Sequence, residues 1–142
     1  MVNTIIDREL FVWDSTTVIT SSEYSYNAYS NSANNLANLT NIIWGNSDVS
    51  SIADRAFQYN SINTLTIPNS VTYIGVQAFY DNSITSLTFD NNSSLQTIEP
   101  YAFYHNHISN DLTIPNSVQT IRSDAFRDND ISSLTLGNSL QT

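Results

Sequence analysis

One five-residue string recurs four times along the chain. It reads Ala56-Phe57-Gln58-Tyr59-Asn60, Ala78-Phe79-Tyr80-Asp81-Asn82, Ala102-Phe103-Tyr104-His105-Asn106 and Ala125-Phe126-Arg127-Asp128-Asn129. The copies begin 22, 24 and 23 residues apart. This constrains the fold more than any other feature, because periods of roughly 20–50 residues belong to stacked repeat architectures. A unit of this size cannot bury its own apolar face, so neighbouring units have to share one interior.

Aligned on Ala-Phe, the apolar positions fall into columns. They are Phe57, Phe79, Phe103, Phe126; Ile62, Ile84, Ile108, Ile131; and Leu65, Leu87, Leu112, Leu134. Three more are Ile67, Phe89, Ile114, Leu136; Val71, Leu95, Val118, Leu140; and Ile52, Ile74, Ile98, Ile121. Triplets such as Leu65-Thr66-Ile67 alternate apolar and polar, which predicts a short strand with its Thr facing solvent. Pro68, Pro115 or Gly137 then ends the strand. Val71–Ile74 and Val118–Ile121 are expected to be tight turns or short extended segments. Asp54–Phe57 and Ser123–Phe126 are expected to form one helical or 3-10 turn opened by a capping side chain. Asn60, Asn82, Asn106 and Asn129 form an unbroken polar column between Phe and Ile. Buried polar groups persist only when hydrogen-bonded, so these amides read as a structural ladder, with a catalytic amide as the alternative.

The unit Ile-x-x-x-Ala-Phe-x-x-Asn-x-Ile-x-x-Leu-Thr-Ile-Pro-Asn-Ser-Val stands here as Ile52–Val71 and, with one inserted residue, as Ile98–Val118. It resembles the BspA-like leucine-rich repeats, over about Ile42–Thr142. The resemblance implies an α/β repeat solenoid, mostly β and turn: a right-handed leucine-rich-repeat coil with a short parallel sheet and single-turn helical or 3-10 segments. It also implies binding or adhesion at a surface. Two local departures stand out: extra residues in Asp90–Ser94, and an insertion near Asn110-Asp111.

Residues 39–142 are thus read as the solenoid, with one degenerate and about four recognisable repeats, the last incomplete. Residues 1–38 are read as a leader or cap. Within it, Leu10–Trp13 and Thr16–Ile19 look like one or two strands. Ser21–Asn35, with Tyr24, Tyr26 and Tyr29, reads as a loop that caps the first rung or lines a binding surface.

Charge narrows the function classes. The net charge is −9, and lysine is absent, leaving only Arg8, Arg55, Arg122 and Arg127 as fixed cations. Nucleic acid, whose phosphates need a basic footprint, is excluded, and so is electrostatic docking on an anionic membrane. Cysteine is absent, which removes disulfides and thiolate metal sites. No apolar run approaches the ~20 residues of a membrane span. Met1–Leu10 lacks the apolar core of an export signal, so a secreted form would carry its signal elsewhere.

Three groups of residues carry the functional readings. Thr66, Thr88, Thr113 and Thr135 form an outward hydroxyl array on the strand face, able to meet a ligand or simply suited to an exposed strand. Tyr59, Tyr73, Tyr80, Tyr101 and Tyr104 supply amphipathic area along a rim. His105 and His107 share columns with Asp81, Asp128 and Asp130, so a His/Asp metal site is the alternative to a solvated loop edge. No nucleophile elbow, phosphate loop, metalloprotease motif or paired-carboxylate signature is present. The reading is therefore a non-enzymatic module without cofactor, at the cell or virion surface, binding a protein or glycan. Its rival is a structural subunit that self-associates or docks through the solenoid end at Leu140-Gln141-Thr142.

Overall fold

The computed structural model describes residues 4–6, 9–11, 16–19, 40–44 and 49–141. The Ser21–Asn35 stretch and its tyrosines lie outside the described residues. Strand β1 (Thr4–Ile6) pairs antiparallel with β2 (Glu9–Phe11). Strand β3 (Thr16–Ile19) runs parallel to β4 (Asn41–Trp44), with Thr16 opposite Asn41 and Ile19 opposite Trp44. The parallel pairing of the first rung therefore draws on a strand from before residue 39.

From β4 onward the chain winds as a parallel β-solenoid of about four turns, and each turn contributes a strand to two ladders. On the first face lie β6 (Thr64–Ile67), β8 (Ser86–Phe89), β10 (Leu112–Thr113) and β12 (Leu134–Thr135). Strand β6 alternates exposed Thr64 and Thr66 with buried Leu65 and Ile67, as a half-buried strand must. The second ladder is a four-stranded parallel sheet of two-residue strands: β5 (Ser51–Ile52), β7 (Tyr73–Ile74), β9 (Thr97–Ile98) and β11 (Thr120–Ile121). The segments Val71–Ile74 and Val118–Ile121 are thus extended, and they stack Ile52, Ile74, Ile98 and Ile121 in register.

The corner that precedes each Phe corrects the sequence reading. No α or 3-10 helix occurs among the described residues. Ala56 N–H closes a turn on the Ala53 carbonyl at 3.3 Å and Gln58 N–H on Arg55 at 3.5 Å. The intervening N–H groups of Arg55, Phe57 and Tyr59 leave the turn and bond to Val76, Ala78 and Tyr80 of the next coil, each at 2.8 Å. A helix keeps its N–H groups within the segment; this corner sends every second one across. Asp54 behaves the same way: its carboxylate accepts the N–H of Val76, one coil on, at 2.8 Å, and does not cap its own turn. The geometry requires left-handed backbone at two columns. One is Arg55, Gln77, Tyr101 and Asp124 (φ 59°, 56°, 59°, 56°), the other Tyr59, Asp81, His105 and Asp128 (φ 59°, 53°, 55°, 54°).

Inside, Phe57, Phe79, Phe103 and Phe126 stack face to face at 5.3, 5.2 and 5.2 Å between centroids, with interplanar angles below 10°. Trp44 meets Phe57 edge-on at 6.2 Å, so the stack begins in the degenerate rung. The first three members of nearly every column are buried; Phe89 is the exception, half-buried against the core. In the fourth rung, Leu134 and Leu136 are 51% and 55% exposed.

Candidate functional site

The predicted hydroxyl array is present as two pairs. Thr66 and Thr88 are in register on β6 and β8, with their Oγ1 atoms hydrogen-bonded at 2.8 Å. Thr113 and Thr135 are in register on β10 and β12. Between the pairs the sheet opens: β8 and β10 are not hydrogen-bonded neighbours, and the face splits into the sheets β6-β8 and β10-β12.

The side chain of Asn110 spans the opening. Its oxygen accepts the N–H of Leu87 at 3.1 Å, and its nitrogen donates to the Leu87 carbonyl at 3.1 Å. One inserted amide therefore supplies both bonds that a paired strand would have given Leu87, so that neither backbone group of this buried residue is orphaned. Beside it lies a half-open cleft of about 550 Å³, with Thr88 and Thr113 on its walls together with Phe89, Asp90, Asp111 and Ser117. Sequence reading noted both length departures that frame this cleft but assigned it no role. The 24- and 23-residue steps, against 22 for the first, were the available signal.

The tyrosines divide. Tyr59, Tyr80 and Tyr104 form a row at 5.3 Å per step, the first contact edge-on and the second stacked at 7°. Tyr101 meets Tyr104 edge-on at 5.6 Å, and the Arg127 guanidinium lies 6.0 Å from the Tyr104 centroid. Tyr59 and Tyr101 are the exposed members, and Tyr73 stands separately in β7. Burial, then the charges of Glu99 and Asp54, pushes the Tyr73 hydroxyl up. Burial leads for Tyr80, with Tyr59 and Asp81 adding to it. Tyr104 is pushed up first by its hydrogen bond to the Asp128 carboxylate.

Asn82, Asn106 and Asn129 each join successive coils. Asn82 donates to the carbonyls of Phe57 at 2.8 Å and Phe79 at 3.2 Å and accepts from Ile62 N–H at 3.2 Å. Asn106 repeats this on Phe79, Phe103 and Ile84, and Asn129 on Phe103, Phe126 and Ile108. Asn60 donates to Phe57 and Gln58.

The histidines are drawn apart. His105 Nδ1 pairs with Asp81 of the preceding coil at 2.9 Å, and His107 Nδ1 with Asp130 of the following coil at 3.6 Å. Asp128 instead faces Arg127 at 3.8 Å. Among the described residues no group of three or more His, Asp or Glu side chains gathers as a metal site would require.

A family model for the BspA type leucine rich repeat region, in six copies, matches residues 26–142. The match begins within the segment read as leader. Among solved structures, the chain resembles the crystal structure of the pneumococcal vaccine antigen PcpA, with a TM-score of 0.77 and 28% identity. That likeness covers 88% of this chain and 31% of the antigen chain, so the protein described here spans about a third of the antigen's length. A comparison with curated proteins gave no match. With its repeat columns, its parallel coil and a family model that spans most of its length, the chain belongs to the BspA-type leucine-rich repeat family.

Proposed function

We propose that this chain is a non-enzymatic recognition module, displayed at a cell or virion surface, that engages a protein or glycan through its strand face. The single observation that carries this is the broken face itself: exposed Thr88 and Thr113 line a cleft of about 550 Å³ beside the insertions, and exposed Thr66 and Thr135 stand one strand further out. Likeness to a vaccine antigen supports a surface location, since such an antigen has to be reachable by antibody. The test is an array of host proteins and glycans probed with the labelled chain. A partner whose binding is lost when the four Thr become Arg, with circular dichroism unchanged, supports the reading. A partner bound equally well by that variant removes the strand face from consideration.

A second reading rests on the exposed Leu134 and Leu136. An apolar outer rung of this kind packs against a further coil or against another chain. Association that rises with concentration in light scattering, and is abolished by Leu136→Asp, supports it; a monomer at all concentrations removes it.

A further inference from the structure

We infer that the cleft between β8 and β10 is a binding site for a neutral sugar residue. This rests on the reading of the strand face as the recognition surface and names its ligand. The cleft's volume of about 550 Å³ falls in the range of small-molecule sites, roughly 300–1,000 Å³. Its walls combine two kinds of group. The half-buried Phe89 and the ring of Pro115 offer an apolar surface, which suits the C–H face of a pyranose. Around them stand the hydroxyls of Thr88 and Thr113 and the carboxylates of Asp90 and Asp111. A carboxylate accepts O–H donors strongly and, with two oxygens, takes neighbouring hydroxyls at once. No lysine or arginine is among the residues that line the cleft. Sialylated, sulfated and phosphorylated ligands would therefore meet two carboxylates without a counter-charge, in a chain of net charge −9.

Ser117 adds an independent observation. At the matching position of the first full repeat, Ser70 donates its hydroxyl to the Val49 carbonyl of the preceding coil at 2.8 Å. Ser117 lines the cleft, yet its hydroxyl is shut off from solvent and has no protein partner. A polar atom buried without a partner costs free energy unless something bonds to it. Because it is closed even to water, this hydroxyl has to rotate out into the cleft before a ligand hydroxyl can supply that bond. The seam also holds its shape before any ligand arrives, because the Asn110 amide fixes Leu87 on both sides, which reduces the ordering cost of binding.

The experiment titrates the ¹⁵N-labelled chain with oligosaccharides ending in glucose, galactose, mannose or N-acetylglucosamine. Sialylated and sulfated oligosaccharides and an arginine-rich peptide are run beside them. At least one neutral sugar is expected to shift the amides of Thr88, Asp111 and Ser117. Asp111→Asn combined with Asp90→Asn is expected to weaken it tenfold or more, and Ser117→Ala several-fold, while Arg122→Gln, exposed and outside the cleft, leaves it within twofold. Absence of any neutral-sugar binding overturns the proposal, as does preference for the anionic glycans or the peptide. Weakening by Thr66→Arg and Thr135→Arg but not by the cleft variants overturns the cleft while leaving the strand face as the recognition surface.

Discussion

Asn106 donates its side-chain amide to the carbonyl of Phe79, one coil earlier, at 2.9 Å. The same side chain receives the N–H of Ile84 at 3.1 Å. One buried residue thereby ties two successive coils at the corner where the backbone has left-handed geometry and cannot complete its own turn. Asn106→Ala strands both backbone groups inside the stack. It is expected to cost about 2–3 kcal/mol, read as a shift in the urea midpoint. Asn129→Ala, in the partly exposed last coil, is expected to cost about 1 kcal/mol. Equal losses at the two positions would contradict the ladder's dependence on burial.

The phenylalanine stack makes a graded prediction. Phe103 is buried between Phe79 and Phe126, whereas Phe126 is only partly buried in the last complete corner. Phe103→Ala is expected to cost about 3–5 kcal/mol, in the range of large-to-small core changes, and Phe126→Ala clearly less. Because coils couple mainly to their neighbours, the Phe126→Ala loss is expected to appear first in amide exchange of the last coil.

Gly75 is required by close approach, not by an unusual backbone angle. A Cβ there would lie 2.5 Å from the Asp54 backbone nitrogen and 2.7 Å from the Ala53 carbonyl carbon. Gly75→Ala is expected to destabilise by about 1–3 kcal/mol. Asp54→Ala should not rescue it, since the clash includes backbone that no side-chain change removes. Rescue by that second substitution would show that only the Asp54 carboxylate was in the way.

The left-handed columns distinguish turns from a helix. Gln77 has φ 56°, which β-branched residues avoid. Gln77→Val is expected to destabilise by about 1–2 kcal/mol, while Gln77→Gly is expected to be near neutral or better, because relief of the strain offsets the added chain entropy. In a helical turn the order would reverse, with Gly the worse substitution.

Alkaline pH probes the tyrosines. Tyr73, Tyr80 and Tyr104 hold their protons above the ordinary value of 10.0, so the unfolded chain releases them first. The contribution of the neutral hydroxyls is present in full below the unfolded value and is lost as pH rises through the raised folded values. The urea midpoint should show no tyrosine-linked change from about pH 7 to about 9 and should fall above about pH 10. Tyr104→Phe is expected to lessen that fall. The tyrosinate absorbance of the folded chain should also develop later than that of the chain in urea.

Much of this was legible in the residues, and what was not has a physical reason. The Ala-Phe spacing and the six columns determine which side chains share the interior, because burial imposes its period directly on composition. The second ladder was read as turn or extended segment, since two-residue strands such as Tyr73–Ile74 are too short to show alternation. The corner at Asp54–Phe57 was read as helical because a capping acid before Ala-Phe fits the local pattern. What decides it is the destination of the Arg55, Phe57 and Tyr59 N–H groups in the next coil, a non-local property. The insertions around Asp90–Ser94 and Asn110-Asp111 were visible as extra residues. That Asn110 would turn inward and hold Leu87 while β8 and β10 separate depends on where the backbone travels. The column alignment sets His105 beside Asp81 and Asp128 and His107 beside Asp130, and the coil directs one back to Asp81 and the other forward to Asp130.

The most direct measurement of the central claim is amide cross-saturation from a bound partner to the ¹⁵N-labelled chain. The account predicts transfer to Thr64–Ile67, Ser86–Phe89 and Leu112–Thr113, on both sides of the opened seam. Transfer confined to Ser51–Ile52, Tyr73–Ile74 and Thr97–Ile98, with the strand face silent, would contradict it.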